Sequence, residues 1–278
     1  MIQDIGEHTF DNQYHPCPPD RESYALYYED HAALVRKYPD RIEFPKFRDI
    51  ERLNEDIYED AVYLFSIDGE RYYLVEEINR ERQSHFTMEN TEIFRYAEPQ
   101  YIAFAGITGY QLHNWYQSRR FCGKCGRRMK KDSKERMLYC ESCHNMEFPK
   151  ICPAVIIGVT DGDKILMSKY AGRTYKKYAL LAGFTEIGET LEETVQREVM
   201  EEVGLKVKNI RYYKSQPWSF TDTLLMGFYC DLDGEAAITL DREELAMAEW
   251  FQRDEIPVEP ERDSITNEMI IRFKNGEV

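Results

Sequence analysis

The chain has 278 residues, a hydrophobic fraction of 42% and a formal net charge of −15 from 36 basic and 51 acidic residues. This acidic balance disfavours broad electrostatic attachment to nucleic acid or to an anionic membrane, although a metal-filled site can still attract a small anionic ligand. The sequence has no apolar run near the roughly 18 residues that span a bilayer and no leader-like start, so we expect a cytoplasmic protein without a membrane partner.

The first part of the chain, residues 1–120, is predicted to form an α+β domain. Strand-like sequences at Ala61–Ile67 and Arg71–Val75 meet at Asp68-Gly69, a dipeptide that favours a tight hairpin turn. A helix is predicted from Ala103 to Arg120, despite two glycines within it. This helix leads directly into the next part of the chain.

Residues 121–149 contain two CxxC pairs, formed by four of the seven cysteines: Cys122, Cys125, Cys140 and Cys143. Two such pairs can place four thiolates around one zinc ion, which leaves no coordination position open for catalysis. The alternative is a pair of disulfides, which the tight rings and a reducing compartment disfavour. We therefore predict a zinc ribbon with one structural Zn²⁺ per chain, and we interpret Cys17, Cys152 and Cys230 as ordinary residues.

Residues 150–278 are predicted to form a domain of mixed strands with one helix on each side, an α/β/α sandwich. Strands are expected in five segments: Ala154–Val159, Ile165–Tyr170, Ile210–Lys214, Leu224–Cys230 and Glu249–Phe251. A terminal helix fits Asp263–Phe273.

The best-defined element of this domain is a short helix between Thr190 and Gly204. Thr190 and Glu193 form a capping box, and Gly204 suits a left-handed C-terminal cap. Apolar residues at every fourth position predict a buried stripe: Leu191, Val195, Val199 and Val203.

Three glutamates border this stripe. Glu198 and Glu202 fall close together, and Glu201 lies about 60° from Glu198 on the same side of the helix. Acids at these spacings repel one another and weaken a helix by tenths of a kcal/mol per pair. Mg²⁺ or Mn²⁺, which prefer carboxylate oxygens, would relieve that repulsion, whereas the alternative is a surface helix whose acids only keep the protein soluble.

The run from Gly183 to Leu205 fills every fixed place of the Nudix box, G-x5-E-x7-R-E-U-x-E-E-x-G-U, where U is aliphatic. The chain therefore resembles the Nudix hydrolases, which cut a diphosphate inside a nucleoside diphosphate linked to another group. The resemblance implies a C-terminal Nudix α/β/α sandwich and a catalytic centre built on five residues of the box: Glu189, Arg197, Glu198, Glu201 and Glu202. For Arg197 we expect a structural role, holding Glu189.

Residues 215–223 read Ser-Gln-Pro-Trp-Ser-Phe-Thr-Asp-Thr and resemble the SQPWPFPxS signature of the NADH pyrophosphatase branch of that family. The same branch has a zinc ribbon, and another module before it, ahead of the Nudix domain. Ser219 and Thr221 replace prolines, which loosens the segment, and Thr223 replaces a serine but keeps the hydroxyl. The resemblance implies that the segment recognises substrate through Gln216, Pro217, Trp218, Ser219, Phe220, Thr221, Asp222 and Thr223.

The chemistry of this segment suits a dinucleotide. Trp218 offers a flat face to a nicotinamide or adenine ring, worth about 1–3 kcal/mol if a base stacks there. Gln216 and the three hydroxyls can donate to phosphate or ribose oxygens. The alternative is a buried tryptophan in a turn with polar neighbours.

Further positions follow from the resemblance alone. The carbonyl of Ala182 and the carboxylate of Glu244 would complete the divalent-cation site, although Glu244 is also explained as a solvated acid. The remaining substrate positions that the resemblance implies are Phe184 beside the nucleotide, Phe148 where some members have tyrosine, Glu135, Thr266 and Arg95.

The resemblance implies metal-assisted hydrolysis of NAD(H) to nicotinamide mononucleotide and AMP, and removal of NAD caps from RNA 5′ ends as a second reaction of the same bond. Two alternatives stay open: a Nudix hydrolase of ADP-ribose or dinucleoside polyphosphates, and a zinc-ribbon binding module with an inactive Nudix fold. A basic stretch on the ribbon between Arg119 and Lys131 would contact RNA if its cations are contiguous; the favoured alternative is that these cations are ordinary solvated side chains. The branch is typically homodimeric, which makes a second copy of the chain an expected partner.

Overall fold

The computed structural model describes residues 1–54, 56–79, 85–172, 176–262 and 264–278. The chain separates into two compact units. The N-terminal unit comprises Ile2–Lys150 and Ser219–Thr221, and the C-terminal unit comprises Met1, Ile151–Trp218 and Asp222–Val278. The ribbon therefore groups with the N-terminal residues.

Over its described residues, the N-terminal unit holds two four-stranded sheets, one in the order β1-β6-β7-β2 and one in which β4 pairs with β3, β5 and β8. The strands are β1 (Phe10–Asp11), β2 (Tyr24–Leu26), β3 (Tyr28–Glu29), β4 (Ala32–Lys37), β5 (Ile42–Glu43), β6 (Val62–Ile67), β7 (Glu70–Leu74) and β8 (Thr87–Asn90). The helices are α1 (Phe47–Ile50), a 3₁₀ turn (Thr91–Arg95) and α2 (Gln100–Ser118). This mixture of short strands and helices is the predicted α+β architecture.

The predicted hairpin is present. Strands β6 and β7 pair antiparallel, and the turn residues Asp68 and Gly69 have φ angles of 53° and 81°. Because both turn residues lie in the left-handed region, the Asp-Gly dipeptide is the local cause of the turn.

Helix α2 packs closely enough to explain its glycines. A Cβ atom at Gly106 would lie 2.5 Å from the ring of Phe94, and one at Gly109 would lie 2.5 Å from Leu26 Cδ1. The helix begins at Gln100, three residues earlier than predicted, because Pro99 supplies the extended residue before its first turn. Glycine is therefore required here by packing, which outweighs its low helix propensity.

The ribbon contains three short antiparallel strands in its described residues, in the order β11-β10-β9. They are β9 (Lys130–Lys131), β10 (Leu138–Tyr139) and β11 (Met146–Glu147).

The C-terminal unit is built on a sheet with the order β15-β16-β12-β13-β17, to which β14 adds by pairing with β12. The strands are β12 (Cys152–Asp161), β13 (Lys164–Tyr170), β14 (Leu181–Phe184), β15 (Val207–Trp218), β16 (Thr223–Leu232) and β17 (Leu245–Gln252). The helices are α3 (Leu191–Val203), a 3₁₀ turn (Arg253–Glu255) and α4 (Ile265–Lys274). The predicted elements are present, with longer strands; Asp263, the predicted first residue of the last helix, lies outside the described residues.

Strand β12 shows why two helices cover the sheet. Its alternate residues Val155 and Ile157 join the core that contains α3, whereas Ile156 between them joins the core that contains α4. Since side chains alternate between the faces of a strand, this continuous apolar run is buried on both sides. The predicted α/β/α sandwich is confirmed.

Among the described residues, no helix combines the length and the apolar character needed to cross a bilayer.

The N-terminal cap of α3 gives a prediction about stability. Thr190 Oγ1 accepts a hydrogen bond from the backbone N–H of Glu193 at 3.2 Å, and the Glu193 carboxylate accepts from the backbone N–H of Thr190 at 2.8 Å. We expect Thr190→Ala to lower the free energy of unfolding by about 1 kcal/mol, as measured by urea denaturation followed by circular dichroism. Thr190→Ser is the matched control, because it keeps the hydroxyl; an alanine variant as stable as the serine variant would contradict the capping role.

Candidate functional site

The four ribbon cysteines converge. Their Sγ atoms all lie within 4.8 Å of one another, with 3.5 Å between Cys122 and Cys143 and between Cys125 and Cys140. Four thiolates at the usual zinc–sulfur distance around one ion have sulfur–sulfur separations of about 3.8 Å. All seven cysteines of the chain are free, which excludes the pair of disulfides. The cluster therefore fits a four-coordinate structural zinc ion.

Both CxxC pairs sit in the same type of backbone loop. Cys122 N–H donates to the Arg127 carbonyl and Cys122 carbonyl accepts from Gly126 N–H; Cys140 repeats this pattern with Asn145 and His144. Gly126 and His144 have φ angles of 73° and 58°, so each is the left-handed turn residue of its CxxC loop. The backbone N–H of Cys143 helps to lower the pKa of Cys140 to about 7, which favours the thiolate that zinc binds.

Helix α3 places two carboxylates against the core. Glu198 and Glu202 are only 8% and 2% exposed, whereas the Glu201 side chain is 58% exposed. The burial follows from the predicted helical phase, because Glu198 and Glu202 flank the stripe of valines that packs on the sheet. Buried carboxylates are costly unless positive charge compensates them.

Gly183 is a feature whose role the sequence pattern did not reveal. A Cβ atom at this position would lie 1.8 Å from the carboxyl carbon of Glu198. The backbone of β14 therefore runs directly against the Glu198 carboxylate, and only glycine leaves room for it. The signal was available, since Gly183 is the first fixed glycine of the motif.

Arg197 ties the acidic groups together. Its Nε and Nη2 atoms donate to the two oxygens of Glu189 at 2.5 and 3.0 Å, and its Nη1 donates to Glu198 at 2.7 Å and to Glu201 at 2.9 Å. Nη2 also donates to the Phe184 carbonyl at 2.9 Å, which links α3 to the end of β14. The expected contact between Arg197 and Glu189 is present, and the guanidinium also contacts two of the candidate metal ligands, Glu198 and Glu201.

The pKa values of Glu189 and Glu198 are shifted in opposite directions. Hydrogen bonds from Arg197 lower the pKa of Glu189 to about 2, so this carboxylate stays ionised. Burial raises the pKa of Glu198, and the nearby Glu201 and Glu244 carboxylates raise it further, against the opposing effect of Arg197. Glu244 is exposed, yet it lies close enough to Glu198 to act on its charge.

The donor set fits a divalent cation. The Arg197 guanidinium contacts the carboxylates of Glu189, Glu198 and Glu201; Glu202 lies on the same helix as these groups, and Glu244 acts electrostatically on Glu198. Hard oxygen donors with an excess of negative charge are what Mg²⁺ and Mn²⁺ prefer. Ala182 lies in β14 opposite Ile156. Within the described ranges these carboxylates are less tightly gathered than the cysteines, since only the cysteines bring three or more ligand atoms within 4.8 Å.

The segment predicted to recognise substrate is the hairpin between β15 and β16. Trp218 ends β15, is half-buried and pairs with Thr223, and the turn between them contains Ser219, Phe220, Thr221 and Asp222. Ser219 and Thr223 are buried, Pro217 and Thr221 are exposed, and Asp222 has a φ of 56°.

Gln216 makes a contact that the sequence did not predict. Its side chain is fully buried, and its amide oxygen accepts a hydrogen bond from the backbone N–H of Ile265 at 2.8 Å. The amide thus satisfies an N–H group in the first turn of α4, the helix on which Thr266 lies. Sequence alone does not reveal this long-range partner.

The other predicted substrate positions are distributed over both units. In the C-terminal unit, Phe184 is 56% exposed and Thr266 is half-buried. In the N-terminal unit, Phe148 is 54% exposed and Glu135 is also exposed. Arg95 in the same unit lies 4.3 Å over the ring of Phe220 and pairs with Glu92 at 2.5 Å.

Known proteins resemble this chain over its C-terminal half and its ribbon. Residues 150–273 match the NUDIX domain, and residues 117–148 match the NADH pyrophosphatase zinc ribbon domain. The chain is 41% identical over 162 residues to the NAD-capped RNA hydrolase NudC of Photorhabdus laumondii, covering 58% of this chain and 63% of that protein. It is 39% identical over 174 residues to the NAD-capped RNA hydrolase NudC of Klebsiella pneumoniae, covering 62% of this chain and 66% of that protein.

The matched region spans less than two thirds of the length of these relatives. A solved NUDIX hydrolase from Nitrosomonas europaea is similar at 24% identity and a TM-score of 0.49, covering 56% of this chain and 90% of its own.

The cysteine cluster gives a prediction about metal content. We expect the full chain to contain one zinc ion, and Cys140→Ser to lose it, because three thiolates and a hydroxyl hold zinc more weakly than four thiolates. Glu202→Gln is the matched control, since it lies outside the cluster and should keep full zinc content. Inductively coupled plasma mass spectrometry on dialysed protein measures both; zinc retained by Cys140→Ser would contradict the assignment.

Proposed function

Because this chain contains a Nudix domain behind an NADH pyrophosphatase zinc ribbon domain, we propose that it hydrolyses the diphosphate of NAD(H) to AMP and nicotinamide mononucleotide. The resemblance to the Nudix family drawn from the sequence is confirmed. The observation that carries the proposal is the burial of Glu198 and Glu202 on one face of α3, where Arg197 donates to Glu198. The names of the relatives, NAD-capped RNA hydrolases, support an NAD-containing substrate.

Five groups would hold the divalent cation: the carboxylates of Glu198, Glu201, Glu202 and Glu244 and the carbonyl of Ala182. A cation bound there supplies Lewis-acid stabilisation of the phosphate charge and lowers the pKa of water. The zinc ion of the ribbon is not a candidate for this role, because its four thiolates leave no open position.

The protein's own side chains position the reacting groups and neutralise part of their charge. Arg197 fixes Glu189 with two hydrogen bonds and orients Glu198 with a third. A carboxylate of the box accepts the proton of the attacking water, and Glu201 and Glu202 are the two candidates. Phosphoryl chemistry of this kind requires little more than positioning and charge stabilisation.

Recognition of the two rings is assigned to exposed and half-buried aromatic residues. Phe184 is exposed at the end of β14 and directly follows Gly183, whose backbone lies against the Glu198 carboxylate. Trp218 ends β15 with part of its side chain accessible, as stacking of a base requires. Gln216 acts indirectly, because its amide fixes the start of α4 and therefore the position of Thr266.

NAD-capped RNA is the second proposed substrate, since it contains the same diphosphate. The relatives' names support this substrate. The ribbon also offers four exposed cations in and beside its first CxxC loop: Arg120, Lys124, Arg127 and Arg128. Phosphate contacts by these side chains would make the affinity for capped RNA more dependent on salt than the affinity for free NAD.

We also propose that the protein works in the cytoplasm and as a homodimer. Four thiolates that must stay reduced to bind zinc support a reducing compartment. The dimer follows from the family resemblance, and light scattering coupled to size-exclusion chromatography tests it.

The substrate is tested by product analysis. Purified chain is incubated with NADH and, in parallel, with ADP-ribose, each with Mg²⁺ or Mn²⁺, and the products are separated by liquid chromatography and identified by mass. We expect AMP and reduced nicotinamide mononucleotide from NADH at the higher initial rate. Faster cleavage of ADP-ribose would contradict the preference, and no cation-dependent cleavage of either compound would contradict the enzyme assignment.

Substitution of a buried glutamate tests the catalytic centre. We expect Glu202→Gln to lower the turnover of NADH by about 10²–10⁴-fold, because it removes a ligand charge and a candidate base. Glu192→Gln is the matched control, since Glu192 is an exposed acid in the first turn of the same helix. Near-normal turnover by Glu202→Gln, with zinc content and folding intact in both variants, would overturn the assignment.

A further inference from the structure

The N-terminal unit contains a cavity of about 1050 Å³ that the proposed hydrolysis does not use. Its walls come from β2, β4, β5, α1 and the start of α2, all within residues 21–102. The volume lies at the upper end of the range for small-molecule sites. We call it the N-terminal cavity.

The side chains that line the N-terminal cavity include more cations than carboxylates. Among the described residues that line it, six cations face three carboxylates: Arg21, Arg36, Arg41, Lys46, Arg48 and Arg52 against Glu43, Asp49 and Glu51. Asp40, Glu22 and Glu70 do not line the cavity but pair with its cations from outside, so that each of these acids neutralises part of the positive charge of the wall. In a chain with 51 acidic and 36 basic residues, a wall with six cations and three carboxylates offers an anion several positively charged partners, once the surrounding carboxylates give way.

The ion pairs in the cavity are exposed and replaceable. Arg21 pairs with Glu51 at 2.8 Å while two thirds of its side chain stays exposed, and Arg41 pairs with Glu43 at 3.1 Å with both side chains nearly half exposed. Such pairs contribute little to stability, so a more highly charged anion can displace the carboxylates. Arg36 forms no ion pair with any described residue; its guanidinium lies over the Tyr38 ring at 4.9 Å.

Aromatic rings lie next to these cations. Lys46 Nζ is 5.0 Å above the ring of Tyr24, which is itself stacked on Tyr72 with 4.7 Å between centroids. Tyr24, Phe86 and Tyr101 line the cavity and are all half-buried, so part of each ring is accessible. Burial raises the pKa of Tyr24 to about 12, which keeps its hydroxyl protonated as a hydrogen-bond donor.

We propose that the N-terminal cavity binds a phosphorylated nucleotide, either free or as part of an RNA strand. Arginine forks match phosphate oxygens, and half-buried rings beside them offer a stacking surface for a base. A simple inorganic anion would use the cations but not the rings, and an apolar ligand would leave the cations desolvated without a partner. None of the described residues that line the cavity is among those assigned to the proposed hydrolysis.

The test uses full-length Glu202→Gln protein, so that no substrate is consumed, and a fluorescein-labelled 12-nucleotide RNA with a 5′-hydroxyl end. Binding is followed by fluorescence anisotropy over a series of salt concentrations. We expect adding Arg36→Gln and Lys46→Gln to weaken binding about tenfold, and to make the slope of log K against log salt shallower by about 1.4, as expected for two lost phosphate contacts to a single strand. Lys206→Gln, an exposed charge of the C-terminal unit, is the matched control and should change neither value.

Equal affinity and slope in the parent and in the Arg36→Gln/Lys46→Gln protein would overturn the proposal. Arg36→Gln alone keeps the test decisive if the double variant folds poorly, as judged by zinc content and thermal unfolding, and should make the slope shallower by about 0.7. Unlabelled AMP as competitor distinguishes a free nucleotide from an RNA strand as the ligand. If AMP displaces the RNA, the cavity binds free nucleotides as well; if it does not, the cavity binds RNA strands. NADH turnover with Glu202 intact is expected to be unchanged by Arg36→Gln/Lys46→Gln, which keeps this result separate from the catalytic proposal.

Discussion

Two carboxylates that are almost fully buried at one edge of α3 are the constraint on which the candidate active site depends. Glu198 and Glu202 occupy positions on a helix whose other buried residues are mostly valines, and Arg197 donates to Glu198 at this acidic edge of the helix, which we call the rim. A guanidinium shared among Glu189, Glu198 and Glu201 compensates only part of their charge. A bound dication would compensate the rest of the negative charge and so offset the cost of burying these carboxylates. The positive charge of the same dication also stabilises the diphosphate as it is cleaved.

The surroundings of these carboxylates are organised to keep them in place. Gly183 allows β14 to approach Glu198 closely, and the Phe184 carbonyl accepts from the same arginine that holds Glu189. Glu189 is fixed twice, because Thr194 Oγ1 donates to it at 3.0 Å in addition to Arg197. One strand end, one loop and one helix are therefore locked together around the rim, which is the rigidity that a metal-assisted reaction requires.

Much of this architecture was predictable from local pattern. The capping box at Thr190, the valine stripe of α3, the Asp68-Gly69 turn and the cysteine spacing each depend on residues a few positions apart, so the sequence displays them directly. The features that were missed depend on distant partners. Gln216 caps α4 through Ile265, 49 positions later. The glycines of α2 are explained only by Phe94 and Leu26, which pack against them. The N-terminal cavity is partly local, since five of its six cations lie between Arg36 and Arg52, but only the fold brings Tyr24, Phe86 and Tyr101 beside them.

Binding of Mn²⁺ to the rim tests the central claim most directly. Electron paramagnetic resonance reports free Mn²⁺, so its loss from solution during titration with protein measures the cation taken up. The account predicts uptake by the wild-type chain, and its loss in Glu198→Gln/Glu202→Gln protein that keeps its zinc and its folded state. Equal uptake of Mn²⁺ by both proteins would mean that the buried carboxylates do not hold the cation, and the proposed catalytic centre would be contradicted.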